Sequence, residues 1–368
     1  GVHIGQRVRW ARGMAQIVRL DNPLFGKGLN LGQRVCYANA MLHFFYGLPR
    51  LTFLTAPLAY LIFGAEIFHA SALMITAYVL PHLFHSNLTN SCIQGRFRHS
   101  FWNEVYETVL AWYIMPPVLM ALVNPKFGGF NVTDKGGIID KDFFDWKLAR
   151  PYIVLLLMNL TGLGFGIHQL IWGAPDTAVT VLINTAWTLY NLIITSAAVA
   201  VASETRQVRA EPRVRAELPV KVELEDGTEV YGTTQDFSQR GLGLRLPPGT
   251  TVKPGERMRV SLFRNARTSQ FDTTVVFSKG QDLGALFDPL TLRQQSELVR
   301  MTFSRADTWA TSWGSGKLDT PLSALREVST IGLIGMGALV KATALQARHS
   351  LTGTPAQTKS LESSMDKS

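Results

Sequence analysis

Two stretches of this sequence carry almost no charge, and that limits what the chain can fold into more than any other feature. Between positions 51 and 95 the one charged residue is Glu66, and between 151 and 202 it is Asp176. Each stretch has room for two membrane helices of roughly 20 residues. Each is split near its middle by a short polar break, at 64–69 and at 173–177. The pattern predicts two helical hairpins, 48–62 with 71–88 and 152–172 with 178–200. The rival is a soluble hairpin buried in protein, but charge-free runs of this length are costly for a soluble fold to hide. Charged residues are 17% of the 368 and hydrophobic ones 46%, where soluble domains carry about 25% charge. Two cysteines, Cys36 and Cys92, exclude a disulfide scaffold.

The net charge is +9, which suits nucleotide or phosphate ligands, or an anionic membrane face. Basic residues flank the hairpins: Arg50, Arg96 and Arg98 around the first, Arg150, Arg206 and Arg209 around the second. The acidic residues sit at the two tips. An excess of Lys and Arg on the cytoplasmic side then places 1–49, 96–150 and everything after Ser203 in the cytoplasm. The first residue is Gly1 rather than Met, and 3–20 is too charged for the apolar core of a secretory leader. A fragment or a processed product is expected.

Segments 6–20, 33–45 and 100–123 mix apolar, aromatic and basic or acidic residues at helical spacing, as helices lying in the membrane interface do. Segment 125–140 differs: four glycines, no apolar periodicity, and Phe130 and Lys135 as groups that can stack on a base and meet a phosphate. After Glu204 the pattern changes again. Arg206, Arg209, Arg213 and Arg215 crowd into ten residues, followed by alternating runs at 219–224, 229–234, 242–246, 258–263 and 271–277. Asp226-Gly227 between two of these is a hairpin signal. Short strands at this spacing predict a small β-barrel of about 100 residues with a closing helix at 290–303. A further helix is expected at 322–345, and the Ser/Thr/Lys-rich tail after Thr352 is expected to be disordered.

Three motifs stand in order along the chain. Gln6-Arg7-Val8-Arg9-Trp10 is Q-x-x-R-W, and Phe130 through Gly136 is F-x-V-T-x-K-G. The third is a pair, Arg209 and Arg213 as R-x-x-x-R with Asp236, Ser238 and Gly241 as D-x-S-x-x-G. In this order around two hairpins, they make the chain resemble the C-terminal half of the bacterial cellulose synthase catalytic subunit, a UDP-forming family 2 glycosyltransferase with a PilZ domain. The resemblance runs from Gly1 to about Trp313. The fold it implies is a polytopic α-helical membrane region, two transmembrane hairpins plus interface helices, followed by a small all-β PilZ barrel. Segment 1–46 would hold the end of the glycosyltransferase domain and interface helices. Next would come a transmembrane hairpin at 47–90, an interface helix at 96–124 and a gating loop at 125–140. A second hairpin at 150–202 would precede the PilZ domain with its arginine linker at 204–306. A C-terminal helix and disordered tail would fill 315–368.

The resemblance also implies roles. Gln6, Arg9 and Trp10 would line the acceptor and donor site, with Trp10 stacking on the terminal sugar and Arg9 forking onto the pyrophosphate. Phe130, Val132, Thr133 and Lys135 would fold over UDP-glucose. Arg209, Arg213, Asp236, Ser238 and Gly241 would bind cyclic-di-GMP as activator, the arginines through phosphate or guanine edges and Asp236 through guanine N–H groups. The chain would translocate a β-1,4-glucan, cellulose, across the bacterial inner membrane, with the PilZ domain in the cytoplasm. No catalytic aspartates and no metal ligands are expected in this chain. Its one D-x-D, Asp140-Lys141-Asp142, lies after the gating segment and reads as a solvated acidic pair. Mg²⁺ would sit at a donor site whose ligands lie outside the chain, which alone should be inactive. Partners would be UDP-glucose, the glucan polymer, the N-terminal half of the catalytic subunit, a periplasmic cellulose synthase subunit and membrane lipid, with no nucleic acid. The alternative is a non-catalytic, membrane-anchored cyclic-di-GMP receptor, and a third reading is a transporter-like protein with a sensor domain.

Overall fold

The computed structural model describes residues 2–66, 72–95, 97, 99–126, 142–204, 211–310 and 319–352. The chain forms two compact units, Gly1–Arg206 together with Asp319–Ser368, and Gln207–Leu318. The first unit contains α1 (Val2–Leu20), α2 (Leu31–His43), α3 (Gly47–Phe63), α4 (Ala72–Gln94), α5 (Trp102–Val123), α6 (Trp146–Trp172) and α7 (Ala178–Ala200). The second holds α8 (Leu292–Met301) and α9 (Ala306–Ala310), after which the chain returns to the first as α10 (Pro321–Thr352).

The helix starts follow local chemistry. A capping box opens α2: Asn30 Oδ1 accepts from the Gln33 amide at 2.9 Å, and Gln33 Oε1 accepts from the Asn30 amide at 3.0 Å. Asp145 caps α6 by accepting from the Leu148 amide at 2.9 Å. At its far end α3 stops on Gly64, whose φ of +65° favours a residue without a Cβ.

The helices pack as a bundle in which α6 lies along α7, α3 touches α5, α6 and α7, α1 covers α5, and α10 runs along α7. Prolines interrupt several of these helices, and at two of them a side chain from another helix reaches the freed carbonyl. Pro57 leaves the Phe53 carbonyl in α3 without its amide partner. The fully buried Asn191 of α7 donates to that carbonyl and to Leu54 O, each at 3.3 Å. Pro151 does the same to the Lys147 carbonyl in α6, and the Tyr113 hydroxyl of α5 donates to it at 3.2 Å. Asn191 is fully buried, so where it reaches α3 the repair comes from protein and not from water.

Among the described residues, four helical spans are long and apolar enough to cross a membrane: Trp102–Val123, Trp146–Trp172, Pro175–Ala200 and Pro321–Arg348. The second expected hairpin supplies two of them. The first does not: α3 has 17 residues, and α4 lacks charge but carries His82, His85, Asn87 and Asn90. Absence of charge and apolarity are different properties, and α4 has the first without enough of the second. The segment expected to lie in the interface contains α5, whose Glu104 and Glu107 sit within its first two turns and leave the rest apolar. Glu104 is paired with Arg50, a buried guanidinium that also donates to Thr108 Oγ1 at 3.0 Å.

Small residues let helix backbones approach. A Cβ on Gly162 would meet Leu58 Cδ2 at 2.3 Å, and one on Gly166 would meet Thr185 Oγ1 at 2.3 Å. Gly162 and Gly166 are therefore packing positions of α6. On α10, a Cβ on Gly335 would lie 2.7 Å from the Ala200 Cα, which is backbone and cannot rotate away. Gly335→Leu should push α10 off α7 and lower stability by about 1–3 kcal/mol, as overpacking does. Gly337→Leu, where nothing lies within 4 Å, should be neutral. Thermal unfolding of the two variants in detergent checks this; equal melting temperatures would show that α10 does not depend on the close approach.

A two-residue ladder pairs β1 (Phe143–Phe144) with β2 (Ser203–Glu204), Phe143 opposite Glu204. It ties the chain entering α6 to the chain leaving α7.

The second unit is a closed antiparallel barrel. Its strands are β3 (Val214–Arg215), β4 (Pro219–Leu224), β5 (Glu229–Phe237), β6 (Gly241–Arg245), β7 (Arg257–Arg264), β8 (Arg267–Lys279) and β9 (Asp282–Phe287). Six of them close in the order β5-β4-β7-β8-β9-β6 and back to β5, and β3 adds to the outer end of β5. The inward positions, among them Val220, Val222, Phe237, Leu242, Leu244, Val260, Leu262 and Phe271, form one core, covered by Leu298 and Met301 of α8. The Asp226-Gly227 turn joins β4 to β5 with Gly227 at φ +83°. Two strand features differ from the expectation. β9 was not expected, because it is short and its outward positions begin with Asp282 and Gly284, residue types depleted in strands. β5 runs three residues beyond the expected end at Thr234, because a bulge between Thr234 and Asp236 shifts the inward parity, so that Thr234 and Phe237 both point inward.

Candidate functional site

The Q-x-x-R-W residues lie on α1. Ala11 and Ala15, both fully buried, form the face that packs on Leu110, Ile114 and Val118 of α5. At 100° per residue, Gln6, Arg9 and Trp10 fall on the opposite face. Trp10 is 48% exposed, and the Arg7 guanidinium carbon sits 5.0 Å from its ring centroid. Half of the indole surface is thus open to a flat apolar ligand, while a cation supports the ring. Burial, and then the positive charge of Arg7, lower the pKa of the His3 imidazole from its ordinary value. Farther along, Gln16 Nε2 donates to the Pro125 carbonyl at 2.6 Å, which fastens α1 to the chain following α5. Phe130, Val132, Thr133 and Lys135, the expected gating residues, lie outside the described residues.

The second constellation is on the barrel. Arg209 lies outside the described residues. Arg213 directly precedes β3, Asp236 is near the end of β5, and Ser238 and Gly241 frame the turn into β6. The register sets Asp236 opposite Arg215 on one side and Gly243 on the other. Arg213 Nη1 donates to Asp236 Oδ1 at 2.6 Å, so the two halves of the expected motif meet in one ion pair. Both side chains are about one-fifth exposed, which makes the pair stronger than one in open water.

Ser238 has a different duty. Its hydroxyl accepts from the amides of Arg240 and Gly241, each at 3.2 Å, and its own amide donates to the Gly241 carbonyl at 2.9 Å. It builds the tight turn that carries Arg240 and Gly241. A Cβ on Gly241 would sit 2.4 Å from the Ala285 carbonyl oxygen of β9. The glycine is needed for strand approach.

Three residues of this region were not singled out from sequence. A Cβ on Gly243 would sit 2.5 Å from Asp236 Oδ1 and 3.6 Å from Arg213 Nη1. Gly243 is the space that the ion pair occupies, and a glycine inside a strand is the signal that marks such a place. Arg240 and Glu211 form a second pair, Nε to Oε1 at 3.0 Å. They border an open groove of about 1270 Å³ between the β9 end and α8, whose other walls include Phe287, Pro289 and Arg293. Among the described residues, no group of three or more His, Cys, Asp or Glu is placed to hold a metal ion.

The helical unit and the barrel together define a protein with membrane-length apolar helices and a PilZ domain: residues 207–304 match the PilZ domain family. Over 365 residues, 99% of its length, the chain is 73% identical to the cellulose synthase catalytic subunit (UDP-forming) of Pseudomonas fluorescens strain SBW25, covering 49% of that protein. The corresponding subunit of Xanthomonas axonopodis pv. citri strain 306 is 45% identical over 338 residues, 92% of this chain and 46% of that protein. The chain spans about half the length of the curated relatives it matches. The PilZ domain of CeSA from a cellulose-synthesizing bacterium aligns with 18% identity and a TM-score of 0.23, over 25% of this chain and 95% of that one. The PilZ domain with c-di-GMP of YcgR from Escherichia coli aligns with 18% identity and a TM-score of 0.24, over 27% and 91%. The barrel's own strand order, rather than these alignments, defines its fold.

Proposed function

We propose that this chain is the translocating and regulatory part of a processive membrane glycosyltransferase that polymerises glucose from UDP-glucose into β-1,4-glucan and is activated by cyclic-di-GMP. The observation that carries the reading is the identity along 99% of the chain to a cellulose synthase catalytic subunit. The apolar helices hold the growing chain's route through the inner membrane, and the PilZ domain lies on the cytoplasmic side. On α1, Trp10 stacks on the acceptor sugar, and Arg9 and Gln6 reach the diphosphate side of the donor. Phe130, Val132, Thr133 and Lys135 close over UDP-glucose. The chain's residues supply positioning and charge here. The catalytic aspartates, and the ligands of the donor-site Mg²⁺, belong to the rest of the enzyme, and the periplasmic subunit receives the product.

In the PilZ domain, Arg209 and Arg213 bind the dinucleotide's phosphates or guanine edges, Asp236 accepts from a guanine, and Gly241 with Ser238 shapes the turn beneath it. The Arg213–Asp236 pair supports this, because it pre-aligns a fork donor and a carboxylate acceptor at one strand edge. Charge-assisted hydrogen bonds contribute about 1.5–3 kcal/mol each. Arg213→Ala should therefore weaken cyclic-di-GMP binding about tenfold or more. Calorimetric titration of the chain in detergent measures it, and an unchanged affinity would remove Arg213 from the site.

A further inference from the structure

The dinucleotide site, on the reading above, has its ligand-facing arginines in R-x-x-x-R, and the structure pairs a further arginine, Arg240, with Glu211, two residues before Arg213. Arg240 lies inside the D-x-S-x-x-G turn, and its backbone is held on both sides. The Arg240 amide donates to Ser238 Oγ at 3.2 Å, and the Phe287 amide donates to the Arg240 carbonyl at 2.9 Å. The side chain is the opposite: 72% exposed, at the edge of the groove that Glu211, Phe287, Pro289 and Arg293 also line. A fixed backbone with an exposed guanidinium is a donor that changes partner at little cost in order.

Its present partner is Glu211, which stands between Arg209 and Arg213 in the arginine segment itself. Glu211 Oε1 accepts from Arg240 at 3.0 Å, while Oε2 is buried and has no hydrogen-bond partner among the described residues. A carboxylate with one satisfied and one unsatisfied oxygen is a poor resting partner, since the buried orphan oxygen has lost its water. Arg213 differs: its partner Asp236 has a place of its own in the site, whereas an anion that binds Arg240 must take it from Glu211.

We propose that Arg240 is a ligand-binding residue of the cyclic-dinucleotide site, and that Glu211 is a competitor that holds Arg240 until a phosphate displaces it. The exchange is electrostatic: the phosphate replaces the carboxylate on the guanidinium, and Glu211 turns out into the groove to regain water on both oxygens. Glu211 thereby sets the threshold concentration at which the domain responds.

The experiment is a titration of cyclic-di-GMP into the whole chain in detergent at fixed salt, with Arg213→Ala, Arg240→Ala, Glu211→Gln and the double variant Glu211→Gln/Arg240→Ala. Loss of one charged contact should weaken Arg240→Ala about tenfold, and release of the competitor should tighten Glu211→Gln by about threefold to tenfold. The double variant should match Arg240→Ala, because Glu211 acts through Arg240. Unchanged melting temperatures, expected for an exposed arginine and an isosteric glutamine, separate this from a folding effect. If Arg240→Ala binds like the unaltered chain while Arg213→Ala is weakened, the role given to Arg240 is overturned and the dinucleotide reading stands. Weaker binding by Glu211→Gln overturns the competitor and makes Glu211 a ligand contact. No binding by the unaltered chain overturns both the inference and the reading it rests on.

Discussion

Gly243→Ala is expected to weaken cyclic-di-GMP binding about 10²-fold while the barrel stays folded, and Gly241→Ala, two residues earlier on the same strand, is expected to damage the barrel itself. The difference lies in what each added methyl would strike. At Gly243 the nearest atom, 2.5 Å away, is Asp236 Oδ1, the far end of a side chain that can swing. Swinging it breaks the contact with Arg213 Nη1, so both ligand groups lose their alignment together. Losing two charge-assisted contacts predicts a weakening of about 10²-fold. At Gly241 the nearest atom, 2.4 Å away, is the backbone oxygen of Ala285, which moves only if β9 moves. Overpacking against backbone costs about 1–3 kcal/mol. Titration and thermal unfolding of both variants test the pair. A Gly243→Ala chain that binds normally would mean that the Arg213–Asp236 pair is not the binding surface.

Trp10→Ala, made in the enzyme that contains this chain, is expected to abolish polymer synthesis while UDP still binds. The indole is half exposed on the face of α1 turned away from α5, so removing it leaves the helix packing of Ala11 and Ala15 intact. On the proposed reading, what is lost is the platform for the acceptor sugar. Misplacement of a reacting group by about 1 Å can cost 10²-fold in rate, and a missing platform should cost at least that. Trp10→Phe should recover part of the activity, because a smaller ring still stacks. Radiolabelled glucan synthesis measured beside UDP affinity separates the two roles. Lost UDP affinity with acceptor use retained would move Trp10 to the donor side.

The elements most legible in sequence were those whose signal is local. Apolar positions without charge named α6 and α7, because those helices are apolar around most of their circumference. Alternation located β4 and the Asp226-Gly227 hairpin, because strand faces repeat every second residue. The same logic failed where a local rule broke. The bulge in β5 reversed the parity between Thr234 and Phe237, and Asp282 and Gly284 hid β9. In α5, Glu104 and Glu107 looked like a polar face, because nothing local announces that Arg50, 54 positions earlier, neutralises Glu104.

The barrel site divides in the same way. Arg213, Asp236, Ser238 and Gly241 were named from their motif, and all four were given ligand duties by resemblance. Only the fold determined that Ser238 spends its hydroxyl on the turn, that Gly243 makes room for the Arg213–Asp236 pair, and that Arg240 faces Glu211. The β1–β2 ladder is of this kind too: it sets Phe143 beside Glu204, 61 positions later.

By itself, then, the sequence determined element type and approximate extent over much of the chain, because burial and backbone hydrogen bonding impose periods of two or 3.6 residues that are written locally. The tertiary structure alone decided which carbonyls freed by Pro57 and Pro151 are recovered by Asn191 and Tyr113, which glycines separate backbones, and which charges cancel. Those contacts join residues that strand register and helix packing bring together across tens or hundreds of positions. No periodicity encodes such a pairing; it exists only once the backbone path has closed.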